Sequence, residues 1–332
     1  MESEAEAELC FPELLNISCR KPASRSRIVL LNILVSSVSV LTVALNLLVI
    51  ISVSHFRQLH TPTNILLLSL AVSDFLVGLL VMPGEILRKT SCWFLGDVMC
   101  SLYKYLTSLT ISASIGDLVL ISAERYVAIC DPLHYSTRVT VPRVRLCVFL
   151  CWSCSVLYSG VFMKADVTGA DHSCYGECAI IVDYVTGTVD IVLSFIFPIT
   201  TIIILYLRVF VVAVSQARAM NSHIRTVTLH RSVTVTAKKS ELKAARTLGV
   251  LVLVFLICFC PYYCVSLAGD AALNGSSASY VIYLFYFTSC VNPVIYTLFY
   301  PWFRKAIKLI VTCKILQPGS SDTNILQRGS VD

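Results

Sequence analysis

The chain has 332 residues, of which 56% are hydrophobic and only 14% charged, with a formal net charge of +6. Soluble domains carry about 25% charged residues, so this composition excludes a pair of ordinary water-soluble domains. The basic residues are spread over separate segments rather than gathered in one patch, which excludes nucleic-acid binding as well.

Met1–Cys10 is acidic and has neither the basic nor the apolar region of a cleavable signal peptide. The first apolar segment is therefore expected to act as its own insertion signal. Crossing about 30 Å of hydrocarbon takes roughly 20 apolar residues per helix. Seven segments qualify: Ile28–Ser54, Asn64–Leu87, Val98–Cys130, Val144–Met163, Tyr184–Val212, Ala244–Leu267 and Ser279–Tyr300, hereafter spans 1 to 7. After them, Trp302–Val311 alternates basic and apolar residues at helical spacing and reads as an amphipathic helix on the membrane surface. The expected fold is an all-α membrane protein, a seven-transmembrane helix bundle with a short amphipathic C-terminal helix. Residues 1–27 form an extracellular N-terminus, 28–300 the helical domain, and 301–332 the cytoplasmic surface helix and tail.

Orientation follows the positive charges. Eighteen of the 26 Lys and Arg lie on the side of the C-terminus, which makes that side cytoplasmic and the N-terminus of this multi-pass membrane protein extracellular. The glycosylation sequons at Asn16 and Asn274 then fall outside. Absence of internal repeats speaks against a transporter built from inverted halves. Among the 15 cysteines no metal-ligand spacing stands out, nor does any nucleophile–base pair, so no enzyme is expected.

Ionisable residues inside spans are functional candidates by default. Asp74 lies in span 2 and Asp190 in span 5. Asp190 is two turns outside Pro198, about 12 Å along the helix axis, with Ser194 on the same side at i+4. A carboxylate there needs a wet cavity and a cation, and no Lys or Arg in the outer half of a span is an obvious partner. A protonated amine ligand would supply that cation. Asp117 in span 3 has no assigned role beyond a hydrogen bond toward span 4.

Six further features, taken in order, carry a family resemblance. They are Leu70-Ala-Val-Ser-Asp74, Glu124-Arg-Tyr126, Trp152, Pro198 with Tyr206, Cys258-Phe-Cys-Pro261 and Asn292-Pro-Val-Ile-Tyr296. One set per helix, they resemble the rhodopsin-like G-protein-coupled receptors over nearly the full length. Cys10-Phe-Pro, Asn16-Ile-Ser-Cys19, His55-Phe-Arg-Gln-Leu-His-Thr-Pro-Thr-Asn64, Cys174-Tyr-Gly-Glu-Cys178 and Tyr300-Pro-Trp-Phe-Arg-Lys-Ala306 resemble, more narrowly, the trace amine-associated receptors. Those are chiefly olfactory detectors of volatile amines.

The resemblance implies a plasma-membrane receptor for a small amine ligand, with no cofactor other than a structural sodium ion, and a heterotrimeric G protein of the stimulatory or olfactory type that raises cAMP. Membrane lipids surround such a receptor. Its ligand would meet Asp190, Thr107, Ser108, Ile111, Ser194, Phe259, Tyr262, Tyr263 and Tyr286, with Glu85 and Asp270 available to a second ammonium of a diamine. The sodium ion would sit at Asp74 with Ser114, Thr288, Ser289 and Asn292. Glu124, Arg125, Tyr126, Tyr206, Glu241 and Tyr296 would form the G-protein switch. A Cys100–Cys178 bridge is implied, and Cys174 has Cys19 or Cys10 as partner, Cys19 being preferred. One departure stands out: amine receptors usually carry an Asp in span 3 seven residues after the bridging cysteine, and here that position is Thr107. A fish-expanded branch of the trace amine receptors shows the same swap toward the span-5 Asp. A peptide or lipid ligand, and more remotely a transporter, remain the alternatives.

Overall fold

The computed structural model describes residues 9–14, 17–20, 26–168, 174–178, 184–224, 249–250, 252–265, 267 and 276–326. Asn16, Asn274, Glu241 and Asp270 lie outside the described residues, so nothing further is said of those expectations.

Span 1 is the helix Ser26–His55. Its inward side carries Ser39, Thr42, Asn46, Val49 and Val53, all buried, while Leu30, Ile33, Leu34, Val40 and Leu41 are exposed. Polar-in and apolar-out is the pattern hydrocarbon demands, because polar groups find partners only inside the bundle. Ser39 Oγ donates to the Gly78 carbonyl at 2.7 Å, and Asn46 Nδ2 donates to the carbonyls of Thr42 and Ser289, both at 2.9 Å.

Span 2 covers Pro62–Thr90. Thr61 caps it, its Oγ1 accepting from the Asn64 N–H at 3.3 Å, and Pro62 occupies the first turn, where no N–H is needed. Pro83 follows later in the same helix. Its ring cannot coexist with an ordinary turn over the carbonyl of Leu79, and the helix widens into a π-type turn at Val77–Val81 just before it. Span 5 repeats the device: Pro198 is preceded by a π-type turn at Ile191–Ile196. That turn begins immediately after Asp190, so the proline sets the attitude of the candidate anchor.

Span 3, Gly96–Cys130, is the hub, packed against spans 2, 4 and 5. Span 4 is Val141–Thr168, and span 5 runs through Tyr184–Val212 and on to Ile224. Span 6 is described as the shorter apolar helix Val252–Val265. Span 7, Ser276–Phe299, ends before a 95° bend into Pro301–Val311. That last helix buries Trp302, Phe303 and Ala306 and turns its charged side outward, as the alternation of basic and apolar residues anticipates.

Beyond it the tail folds back, which no sequence pattern suggested. Ser320 Oγ lies 2.9 Å from His55 Nε2, Arg57 pairs with Asp322 at 3.5 Å, and Gln58 Oε1 accepts from the Ile325 N–H at 3.3 Å. Ile325 itself is buried.

At the opposite end three disulfides close the structure: Cys10–Cys92, Cys19–Cys174 and Cys100–Cys178. The second and third match expectation; the first joins Cys10 to the loop between spans 2 and 3. Isolated bridges Leu9↔Arg20 and Ser18↔Tyr175 and the Trp93 N–H to Gly176 carbonyl bond, 2.8 Å, knit these segments together. Gly176 has φ +101°, and a Cβ there would meet the Phe11 ring at 2.9 Å and Cys10 at 3.0 Å.

Gly84 is tight for a different reason. A Cβ would stand 2.6 Å from the Tyr103 ring, and Tyr103 cannot retreat without leaving Glu85, to which it donates at 2.5 Å. Gly84→Val is therefore expected to destabilise the bundle by about 1–3 kcal/mol, seen as a lower melting midpoint of detergent-extracted protein. An unchanged midpoint would mean that Tyr103 swings aside freely.

Candidate functional site

Two groups of expected site residues occupy one cavity. It has a volume of about 20 Å³, and its walls include Asp74, Ser114, Thr288, Ser289 and Asn292 together with Ile111, Phe259 and Tyr286. Space of that size holds a single water or small ion. Asp74 is only 2% exposed and its Oδ2 accepts from Asn292 Nδ2 at 2.7 Å. Ser114 Oγ donates to Ser73 Oγ at 2.9 Å. Among the described residues the buried amide oxygen of Asn292 and the hydroxyl of Thr288, both on the cavity wall, have no hydrogen-bond partner. A buried carboxylate beside unpaired oxygens is a donor set that suits a hard cation.

Above that cavity the aromatic side chains form a continuous chain from span 5 to span 7. Phe195 stacks on Tyr263 with centroids 4.3 Å apart, Tyr263 meets Tyr262 at 5.1 Å, and Tyr262 meets Phe285 at 5.1 Å. Phe285 in turn touches Phe259 at 4.1 Å and Tyr286 at 5.6 Å. Phe195 and Phe285 were not anticipated, because a Phe at helical spacing looks like ordinary bundle packing.

Asp190 lies at the span-5 end of this chain and is not among the cavity walls. It is half-buried. Its Oδ1 accepts from the Tyr158 hydroxyl, in a short hydrogen bond, and from Ser194 Oγ at 3.0 Å. Ser194 and Tyr158 are themselves 3.1 Å apart. Among the described residues Asp190 has no ion-pair partner. Tyr158, from span 4, is a site residue that sequence reasoning missed; only a contact between helices identifies it. Thr107 turns back on its own helix, donating to the Tyr103 carbonyl at 2.8 Å, while Ser108 accepts from Ser159 of span 4 at 3.1 Å.

Glu85 corrects one expectation. Arg88 grips it with Nε at 3.0 Å and Nη2 at 2.7 Å, and Tyr103 adds a third donor. Its carboxylate is thereby satisfied, so it is not available to a second ammonium. An outer-half arginine with an internal partner does exist, but its partner is Glu85 and not Asp190. Both residues are one turn apart on span 2, an i,i+3 pairing the sequence already contained. Asp117, fully buried, accepts from Ser69 Oγ at 2.9 and 2.8 Å, and Trp152 Nε1 donates to the same Ser69 oxygen at 2.9 Å. The link to span 4 thus runs through span 2.

At the other end of span 3, Arg125 pairs with Glu124 and also donates to Thr63. Glu124 Oε1 accepts from Thr63 at 2.9 Å and from Tyr135 at 2.5 Å. Burial and the neighbouring Glu124 carboxylate push the Tyr135 phenol up to about 12, which keeps it a donor. Tyr126 is partly exposed, and Tyr206 is partly buried within electrostatic range of Arg125. Tyr296 is fully buried, and among the described residues its hydroxyl has no hydrogen-bond partner.

Residues 45–296 match the seven-transmembrane receptors of the rhodopsin family. The chain is 38% identical to trace amine-associated receptor 13c of Danio rerio, over 96% of both chains. It is 39% identical to trace amine-associated receptor 8a of Rattus norvegicus, over 97% of this chain and 98% of that one. Trace amine-associated receptor 4 of Mus musculus is 34% identical, over 97% and 96%.

Proposed function

The chain belongs to the rhodopsin-family seven-transmembrane receptors and, within them, to the trace amine-associated receptors, which are not enzymes; on that footing we propose that it detects small protonated amines through Asp190. The observation that carries this reading is a half-buried span-5 carboxylate with hydroxyl donors and, among the described residues, no cation beside it. An ammonium completes it. The aromatic faces of Phe195 and Tyr263 stand next in line for cation–π contact, with Tyr262, Phe259 and Tyr286 extending the apolar wall. Thr107 supplies no charge, so the amine binds toward span 5 rather than span 3. Thr107, Ser108 and Ile111 shape the span-3 wall.

In this reading the disulfide end faces outward and the tail faces the cytoplasm of a plasma-membrane receptor. Asp74, Ser114, Thr288, Ser289 and Asn292 hold a sodium ion in the resting state. That ion would add positive charge beside Asp74 and secure the inactive packing; the residues themselves link spans 2, 3 and 7. Amine binding favours a second packing in which Arg125 leaves Glu124 and Thr63, opening a cleft to a heterotrimeric G protein of the stimulatory type. Tyr206 and Tyr296 take new partners in that state. The olfactory role rests on family resemblance alone.

The experiment is a cAMP reporter line challenged with an alkylamine and its isosteric alcohol. The alcohol is expected to be weaker by about a hundredfold or more, since it leaves the half-buried carboxylate without a counter-ion. Equal potency would reject ion pairing and turn the search to neutral, lipid or peptide ligands.

A further inference from the structure

We infer that Tyr158 sets which degree of amine substitution the receptor prefers, biasing the site toward tertiary over primary ammonium ions. This deepens the assignment of Asp190 as the amine anchor and depends on it.

A carboxylate offers about four acceptor positions, two on each oxygen. In this structure Oδ1 of Asp190 already accepts from two hydroxyls, that of Tyr158 and that of Ser194. Among the described residues no donor reaches Oδ2. The side chain therefore presents one open oxygen rather than a two-oxygen fork. A tertiary ammonium carries a single N–H, and one open oxygen satisfies it. A primary ammonium carries three. Its surplus donors must find other acceptors or be desolvated unpaired, and an unmet buried donor is costly.

Among the described residues the surroundings offer apolar and aromatic contact. Phe195 stacks on Tyr263, which is buried, and Tyr263 meets Tyr262 edge-on. N-methyl groups gain from such faces, where the positive charge is spread over the carbons attached to nitrogen. The Tyr158 ring, held against Phe162 with centroids 6.3 Å apart, keeps its hydroxyl on Oδ1. Ser194 alone could not fill the oxygen. Its one proton lies within reach of both the Asp190 carboxylate and the Tyr158 oxygen.

The test measures the ratio of EC50 values for a matched primary amine and its N,N-dimethyl analogue on wild type, Tyr158→Phe, Ser194→Ala and Asp190→Ala, at equal surface expression. Wild type is expected to favour the dimethyl compound. Tyr158→Phe keeps the ring but frees Oδ1, and is expected to shift the ratio toward the primary amine by about tenfold, the value of one hydrogen bond to a charged group. Ser194→Ala should shift it the same way by less. If Tyr158→Phe leaves the ratio where it was, or moves both amines equally, Tyr158 does not read substitution. If Asp190→Ala leaves both potencies intact, the anchor itself is wrong. Loss of both amines in Asp190→Ala with an unmoved ratio in Tyr158→Phe rejects the Tyr158 inference while the anchor stands.

Discussion

Asp190→Ala is expected to raise the EC50 of an amine agonist by about a hundredfold or more while leaving the amount of receptor at the surface near wild type. The two halves of that expectation have separate origins. In the bound receptor Asp190 is one member of a partly desolvated ion pair, and removing one member of such a pair costs about 3–5 kcal/mol. In the free receptor it is held, among the described residues, by two hydroxyls, from Tyr158 and Ser194, which can turn to each other once the carboxylate is gone. The fold therefore has little stake in this side chain. Radioligand or cAMP titration alongside surface labelling separates potency from abundance. Unchanged potency at equal abundance would move the amine elsewhere in the bundle.

Arg88→Ala is expected to do the reverse, damaging the fold first. The side chains of Arg88 and Glu85 are 13% and 2% exposed, and the guanidinium makes two of the three hydrogen bonds that Glu85 accepts. Without Arg88 the carboxylate is left in the outer bundle with Tyr103 alone, at a cost of about 3–5 kcal/mol. Most of the receptor should then fail to reach the cell surface, and the extracted remainder should melt well below wild type. Adding Glu85→Gln to Arg88→Met removes both charges and should restore much of the loss. Surface expression of Arg88→Ala equal to wild type would show that water reaches Glu85 and that the pair is not a structural lock.

Contrast between these two carboxylates marks where the sequence was informative. Long apolar runs dictated the spans, because hydrocarbon imposes a length and a polarity on every crossing helix. Boundaries moved by only a few residues, as at span 4, expected over Val144–Met163 and helical over Val141–Thr168. Asp74 and the four residues proposed with it also came together around one cavity, Asp74 and Asn292 lying in motifs whose place on their helices is recognisable. Glu85 and Asp190 looked alike in the sequence, two outer carboxylates within spans. Their difference lies in partners: an arginine one turn away for Glu85, a tyrosine from another helix for Asp190. The first is legible in the sequence as an i,i+3 pair. The second depends on how spans 4 and 5 sit together, and no spacing along the chain encodes it. The same holds for the tail, where Ile325 finds its burial against a loop some 267 residues earlier in the chain.

The disulfide pattern has a topological consequence. Cys10 and Cys19 are tied to two different places, Cys92 and Cys174, so the segment between them belongs to closed covalent circuits rather than to a free end. Hydrolysis of one peptide bond between Cys19 and span 1 would leave the receptor in a single covalent piece, and both bridges would have to be reduced before the fragment could depart. The outer cover of the bundle is in this sense doubly fastened: it survives a cut in its own backbone.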